Sequence, residues 1–229
     1  MDLTQLEGRT YGPLSWRINP EAVADFIEVT GDDPVRWTSN APPGFAAAAL
    51  FTVAPDLLAE LYRHAVIHGE QTFVWNGALP INGELEVTGT VTRVRERGST
   101  YFVTFEVAGG DRLTGKALFL ASGDPTSPEP PPVEGSEPPH GFRGEVGDGQ
   151  VSASRADLVR YAAATRDWNP VHWDHEAAVA AGFPGVVVHG LLQAAWALRA
   201  FSDTTSGNIS SARFRFRHPL KPGHPVSVD

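Results

Sequence analysis

The chain has 229 residues, of which 41% are hydrophobic, with a formal net charge of −9 and no cysteine. This length supports one large or two small domains, and the lack of cysteine excludes disulfides and thiolate metal sites. The acidity argues against a nucleic-acid binder, whose footprint is usually basic. The first residues, MDLTQLEGRTYG, lack the basic start and apolar run of a signal peptide, and no apolar stretch approaches the roughly 18 residues of a membrane span. We therefore expect a cytoplasmic protein without a membrane span.

The first half begins with two helical segments. Asn19 and Pro20 are typical of an N-cap and first helical position, and the apolar spacing from Val23 to Thr30 predicts one buried face. The run GFAAAALFTVAPDLLAELYRHAV, residues 44–66, is helical in character and is interrupted by Pro55.

Three strands are predicted next. The segments ELEVTGTVTRVRE (84–96), TYFVTFEV (100–107) and RLTGKALFLA (112–121) have the alternation of half-buried strands, with Gly109-Gly110 as the turn between the last two. Residues 123–142 are rich in proline and glutamate and contain almost no large apolar side chains. They predict a semi-rigid linker, and the alternative is a long surface loop inside one domain.

The second half repeats this order. Ser154 with Asp157 three residues later is a capping box, and it starts a second amphipathic helix. The run HGLLQAAWALRAF, residues 189–201, is apolar nearly all round, as in a buried helix. The segment ARFRFRHPLKPGHPVSVD, residues 212–229, begins as a strand.

The two halves can be aligned with each other. DFIEVTGDDPVRW (25–37) matches RYAAATRDWNPVHW (160–173), and PPGFAAAALF matches FPGVVVHGLL. We interpret this as duplication of one α+β module, a long helix wrapped by a curved antiparallel sheet, which is a double hot-dog fold. The expected domains are a degenerate first copy (1–122), the linker (123–142) and a catalytic second copy (143–229). The second copy ends within a strand, so two or three strands are expected to be missing from its C-terminus.

The motif that carries chemistry is D-x-N-P-x-H, formed by Asp167, Asn169, Pro170 and His172, with AGFPGVVVHG downstream. This pattern resembles the MaoC-like, or type 2 (R)-specific, enoyl-thioester hydratase family in its order and nearly in its spacing. The resemblance covers about 30 residues closely. One departure is Arg166, where the family often has glycine.

The motif suits the hydration of an α,β-unsaturated thioester. That reaction needs a group to take a proton from water, a proton delivered at the α-carbon, and stabilisation of the enolate oxygen. Asp167 and His172 are five residues apart across a turn, so both can reach one water. Gly190, at the start of the buried helix, offers a backbone N–H with no partner in the helix, where an oxyanion is stabilised. The absence of a Cβ at Gly190 is expected to let the thioester carbonyl approach closely.

Other residues are assigned supporting or weaker roles. Asn169, Pro170 and His189 are expected to orient the loop. Contact with the substrate or its carrier is expected from Arg166, Trp168, Arg213, Arg215 and Arg217, of which the last three alternate with phenylalanines along a strand. Phosphates of coenzyme A or an acidic acyl carrier protein would suit these arginines, and a solvated strand face is the alternative.

The first copy lacks most of these site residues. Arg36 stands where His172 stands, and Ala48 and Ala49 replace His189 and Gly190. Pro55 and the small Ala46–Ala49 segment would open space for a long or bulky acyl chain. The alternative is drift after duplication, with tightly packed alanines.

The sequence therefore predicts a hydro-lyase that reversibly converts trans-2-enoyl thioesters to (R)-3-hydroxyacyl thioesters. The carrier is coenzyme A or acyl carrier protein, no cofactor or metal is required, and a homodimer or hetero-oligomer is possible. HWDH, residues 172–175, could suggest metal ligands, but further ligands at typical zinc spacing are lacking. The rival functions are a hot-dog thioesterase and a non-catalytic acyl-binding or partner subunit.

Overall fold

The computed structural model describes residues 2–123, 149–204 and 208–228. The predicted linker, apart from Gly123, lies outside these residues. The described strands are β1 (Thr10–Arg17), β2 (Ala65–Trp75), β3 (Glu84–Arg97), β4 (Thr100–Gly109), β5 (Leu113–Ser122), β6 (Gln150–Val151), β7 (Ser211–Arg215) and β8 (Val226–Ser227). The α-helices are α1 (Pro20–Thr30), α2 (Ala47–Val53), α3 (Pro55–Leu61), α4 (Arg155–Thr165), α5 (His175–Ala180) and α6 (Gly190–Thr204). Short 3-10 helices span Leu3–Leu6, Pro43–Ala46 and Pro170–His172.

One antiparallel sheet joins the two halves of the chain. Its order is β1-β3-β4-β5-β2-β7, so β7 from the second half pairs with β2 from the first. A separate pair is formed by β6 and β8. The sheet therefore gives the two halves a shared core. The number of strands in a complete second copy stays a prediction.

The three strands predicted by alternation are confirmed as β3, β4 and β5. Along β4, for example, Val103, Phe105 and Val107 are buried while the residues between them are partly exposed. This period of two places one row of side chains against the helices and the other toward solvent. Gly110, with φ 53°, lies in the turn after β4, as the Gly-Gly pair predicted.

The helix starts are also confirmed. The Asn19 side chain accepts hydrogen bonds from the N–H groups of Glu21 and Ala22, and Ser154 and Asp157 form the predicted capping box. Helices α1 and α4 pack against each other, with the rings of Phe26 and Tyr161 5.8 Å apart. The two equivalent helices thus lie together at the junction of the halves.

The apolar run of residues 44–66 differs from its prediction at its end. Pro55 does break it, and the two arms meet at 80°. The helical prediction for residues 62–66 is wrong, because α3 ends at Leu61 and β2 begins at Ala65. Val66 pairs with Ala121 of β5, so long-range strand pairing overrides the local helical pattern. Strand β1, the length of β2 and helix α5 were not predicted.

Within the described ranges, no single helix is long and apolar enough to cross a membrane. One bent pair, Pro43–Val53 with Pro55–Leu61, meets the length and composition requirement when both arms are counted.

Candidate active site

The D-x-N-P-x-H loop follows directly from the end of α4. Arg166 closes the helix in the left-handed conformation, φ 65°, and its N–H donates to the carbonyl of Ala162. This conformation favours glycine, which accounts physically for the glycine of the family pattern at this position. The turn directs Asp167 and Asn169 inward, whereas Arg166 and Trp168 are exposed. Neither exposed side chain lines the central cleft described below.

Asn169 anchors the loop in two directions. Its Oδ1 accepts from the N–H of Val171, which caps the 3-10 helix that Pro170 begins. Its Nδ2 donates to the carbonyl of Val66 in β2, at 3.1 Å. The loop of the second half is therefore tied to a strand of the first.

His172 is held in one orientation and one tautomer. Its Nδ1 lies 2.8 Å from the carbonyl oxygen of Val187. A carbonyl only accepts, so Nδ1 carries the hydrogen and Nε2 is the acceptor. Burial lowers the pKa of His172 to about 4, so the imidazole is neutral near pH 7.

Asp167 is the buried carboxyl of the site, with 5% of its surface exposed. Burial raises its pKa to about 7, opposed by hydrogen bonds from the N–H of Asn169 and the hydroxyl of Tyr62, both 3.5 Å from Oδ1. A carboxyl with this pKa accepts and releases protons near neutral pH.

His189 completes a three-residue cluster. Its ring stacks on that of His172, with centroids 3.7 Å apart, and its Nε2 donates to the backbone carbonyl of Asp167 at 3.2 Å. One polar atom from each of Asp167, His172 and His189 lies within 4.8 Å of the others. Such a trio has donor atoms suited to a metal, but His175 of the HWDH motif is not part of it. The expectation of a metal-free site stays a prediction.

Gly190 is the first residue of α6, as predicted, so its N–H belongs to the turn whose donors the helix leaves unused. The side where a Cβ would point is filled by the Phe216 ring. An added Cβ would lie 2.9–3.1 Å from three ring carbons. The immediate steric reason for glycine is therefore the packing of Phe216, rather than only the approach of a ligand carbonyl.

These groups face a cleft of about 750 Å³, counting its open mouth. Asp167, Asn169, His172 and Gly190 all line it. Sequence reasoning missed the lining residues from the first half, which are Phe51, Tyr62, Val66, Ile67, His68 and Phe119. No local motif marks them, because strand and helix packing bring them to the cleft from distant parts of the sequence.

The three alternating arginines are separated by the structure. Arg213 and Arg215 both bind the carboxylate of Glu70 on β2, at 2.7 and 2.8 Å. Arg217, by contrast, is exposed and lines the cleft. Phe214 lies on the opposite side of β7 and is partly buried, as the alternation predicted. Only Arg217 of the three is placed to meet a cleft ligand directly.

The corresponding loop of the first half has different contacts. Arg36 pairs with Asp203 at 2.7 Å, and Asp32 accepts from the Trp37 indole N–H at 2.8 Å. The alanines of Ala46–Ala49 are buried in the core, whereas the cleft wall receives Phe51 from this segment. These alanines do not line the cleft and are packed in the core, which favours the alternative of tight packing.

The buried carboxyl predicts a measurable effect on stability. In the folded protein the pKa of Asp167 is about 7, above the ordinary value of 3.8. The free energy of unfolding therefore decreases as the pH rises from 3.8 to about 7, and the full loss is present above about pH 7. Asp167→Asn should therefore raise the melting temperature at about pH 9, by the equivalent of up to roughly 4 kcal/mol. The gain should vanish near pH 4 in thermal melts. The exposed-site control is Asp111→Asn, and an equal gain at both pH values would contradict the prediction.

Comparisons with known proteins agree with this architecture. Residues 144–229 match the family model described as "MaoC like domain". The peroxisomal multifunctional enzyme type 2 of Drosophila melanogaster is 27% identical over 224 residues, which cover 85% of this chain and 37% of that protein. The probable enoyl-CoA hydratase 2 of Dictyostelium discoideum is 21% identical over 179 residues, covering 72% of this chain and 60% of that protein. The chain thus spans less than two thirds of the length of either relative.

Two solved structures show the same fold. One is a MaoC-like dehydratase, with a TM-score of 0.75 at 20% identity, covering 97% of this chain and 87% of that one. The other is a conserved hypothetical protein of Mycobacterium tuberculosis described as a double hotdog fold, with a TM-score of 0.66 at 12% identity, covering 96% and 82%. The chain therefore has a hot-dog fold, with helices packed on an antiparallel sheet.

Proposed function

We propose that the protein reversibly hydrates trans-2-enoyl thioesters to (R)-3-hydroxyacyl thioesters, on the premise that residues 144–229 match the family model of a MaoC-like domain. The observation that carries the proposal is the convergence of Asp167 and His172 in one cleft at the start of α6, with one polar atom of each within 4.8 Å of the other. We assign catalysis to the second copy of a double hot-dog (143–229). The first copy (1–122) is proposed to be non-catalytic and to form one wall of the cleft.

The proposed reaction uses one proton carrier. The Asp167 carboxylate takes a proton from a water whose other hydrogen is held by Nε2 of His172. The water oxygen bonds to the β-carbon, and the π electrons move toward the thioester oxygen. Protonated Asp167 then gives the same proton to the α-carbon, which restores the carbonyl and the carboxylate. Water is thereby added across one face of the double bond, and the reverse sequence is dehydration.

The Gly190 N–H is proposed to stabilise the enolate oxygen between these two steps. It lies in the first turn of a 15-residue helix, where the helix dipole and a free donor favour negative charge. Preorganised donors of this kind are typically worth a factor of about 10²–10³ in turnover.

The carrier is proposed to be coenzyme A, with the phosphopantetheine of an acyl carrier protein as the alternative. Arg217 at the cleft favours a phosphate-bearing ligand of either kind. The net charge of −9 disfavours docking of an acidic carrier protein, because like charges repel. No metal or redox cofactor takes part in the proposed steps.

The test is a panel of trans-2-enoyl-CoAs with short, long and steroid-like acyl groups, followed by loss of enoyl absorbance. Chiral analysis of the product should give the (R)-3-hydroxyacyl thioester. An (S)-product would contradict the stereochemical assignment. Release of free thiol without hydration would instead indicate a thioesterase, and binding without turnover would indicate an acyl-binding subunit.

A further inference from the structure

The break in the apolar helix of the first half has a consequence for the active site. In the second half α6 continues unbroken for 15 residues, whereas in the first half the chain bends by 80° between α2 and α3 at Pro55. Helix α3 then ends at Leu61, and Tyr62 is its C-cap residue. The bend therefore carries Tyr62 toward the loop of the second half instead of continuing the line of α2.

Tyr62 meets the acid–base group itself. Its hydroxyl lies 3.5 Å from Oδ1 of Asp167, a residue 105 positions away in the sequence, and its side chain lines the same cleft. This separation is at the long limit of a hydrogen bond, and such contacts in ligand-free sites often shorten when substrate binds. Burial, followed by the nearby Asp167, raises the pKa of Tyr62 well above its ordinary value, so the phenol keeps its proton and donates.

A second contact across the halves fixes the same loop. Asn169 donates to the Val66 carbonyl, which lies four residues after Tyr62 in the chain. The segment from Tyr62 to Val66 thus touches the loop at both Asp167 and Asn169. A segment that only formed a pocket wall would not need a polar contact to the carboxyl group.

We propose that Tyr62, supplied by the half that lacks the catalytic motif, is a positioning residue that orients the Asp167 carboxylate and stabilises its ionised form through its hydroxyl. The kinetic consequences of this proposal rest on the proposed function, whereas the contact between Tyr62 and Asp167 does not. The active site is then completed by both copies, and the degenerate copy contributes to the acid–base step.

The sign of the effect follows from which form the hydroxyl stabilises. Its hydrogen bond favours the carboxylate and opposes the burial that raises the pKa of Asp167. Removing it should raise that pKa further, by about 0.5–1 unit for one bond of this kind. Since the carboxylate is the proposed proton acceptor, the acid limb of kcat/KM should move to higher pH by the same amount.

The experiment compares Tyr62→Phe with the matched control Tyr11→Phe. Tyr11 is a partly buried tyrosine of β1 whose ring packs against Phe105, away from the cleft. At pH values below the acid limb, kcat/KM of Tyr62→Phe should be about 3- to 10-fold lower than that of the wild type. Above pH 9 it should return to within about twofold of the wild-type value. Tyr11→Phe should keep the wild-type profile. An unshifted limb in Tyr62→Phe, or an equal loss at every pH, would overturn the proposal.

A substrate-free titration separates this proposal from the proposed function. Carbon-13 NMR of aspartate-labelled protein, with Asp167→Asn to assign the resonance, measures the Asp167 pKa directly. A higher Asp167 pKa in Tyr62→Phe supports the positioning role even if no enoyl thioester is turned over. An unchanged pKa in a folded Tyr62→Phe variant refutes the role even in an active hydratase.

Discussion

Asp167→Asn and His172→Ala should each lower the turnover of a trans-2-enoyl-CoA by about 10²- to 10⁴-fold, the usual range for one acid–base group. Asp167→Asn keeps the size of the side chain but removes the proton acceptor whose pKa is about 7. His172→Ala removes the Nε2 acceptor that the Val187 hydrogen bond leaves free. Binding of an acyl-CoA should survive both changes, since neither residue is assigned to the carrier.

The double variant is the sharper measurement. Both side chains are proposed to hold one water, so Asp167→Asn with His172→Ala should be little slower than the slower single variant. Multiplicative losses would indicate two independent roles. Matched controls are Asp32→Asn, a partly buried carboxyl in the corresponding loop of the first half, and His175→Ala, which lies outside the cluster. Near-normal turnover in either Asp167→Asn or His172→Ala would refute the proposed pair.

The pH profile of the wild-type enzyme supplies a further check. The rates of hydration and of dehydration should both rise with pH through the Asp167 pKa of about 7, because the carboxylate is the reactive form of Asp167 in both reactions. The pKa of His172, lowered to about 4, keeps its imidazole neutral across this range. An acid limb near pH 4 would therefore point to His172 as the group whose protonation stops the reaction.

Features set by neighbouring residues could be predicted from the sequence. The Asn19 cap, the capping box at Ser154 and the alternation of β4 each depend on side chains a few positions apart. The loop from Asp167 to His172 belongs to the same class, since the left-handed Arg166 and the following turn determine which side chains point inward.

Features set by contacts between residues far apart in the sequence could not be predicted. The local pattern around Tyr62 predicts a helix, and only the pairing of β2 with β5 places the residues that follow it in a strand. The alternation predicts that Arg213 and Arg215 contact a ligand, but both pair with the carboxylate of Glu70, more than 140 positions away in the sequence. A single sequence contains no local signal for these partners.

Gly190→Ala should be the most damaging single change that leaves both acid–base side chains in place. The new Cβ would lie 2.9–3.1 Å from carbons at the attached end of the Phe216 ring, which cannot simply swing aside. The backbone of Phe216 is itself held by a hydrogen bond from its N–H to the Gly69 carbonyl at 3.0 Å. Either the start of α6 or the segment after β7 must therefore move.

Two measurable losses follow from that movement. Overpacking of this kind typically costs about 1–3 kcal/mol, partly offset by the better helix propensity of alanine, so the melting temperature should fall. Displacement of the N–H from the proposed enolate position should lower turnover by about 10²–10³-fold. Stability is measured by thermal melts and turnover by loss of enoyl absorbance.

The double variant Gly190→Ala with Phe216→Ala distinguishes collision from a direct effect on the donor, with Phe216→Ala alone as the reference. Truncating the ring removes the atoms that the new Cβ would meet, so Gly190→Ala should cost little stability in the Phe216→Ala background.

If turnover also matches that of Phe216→Ala, the glycine acts by allowing Phe216 to pack and thereby positions the N–H. If stability recovers while turnover stays low, the Cβ itself obstructs the thioester. A Gly190→Ala single variant with wild-type melting temperature and turnover would refute both the steric argument and the proposed position of the enolate.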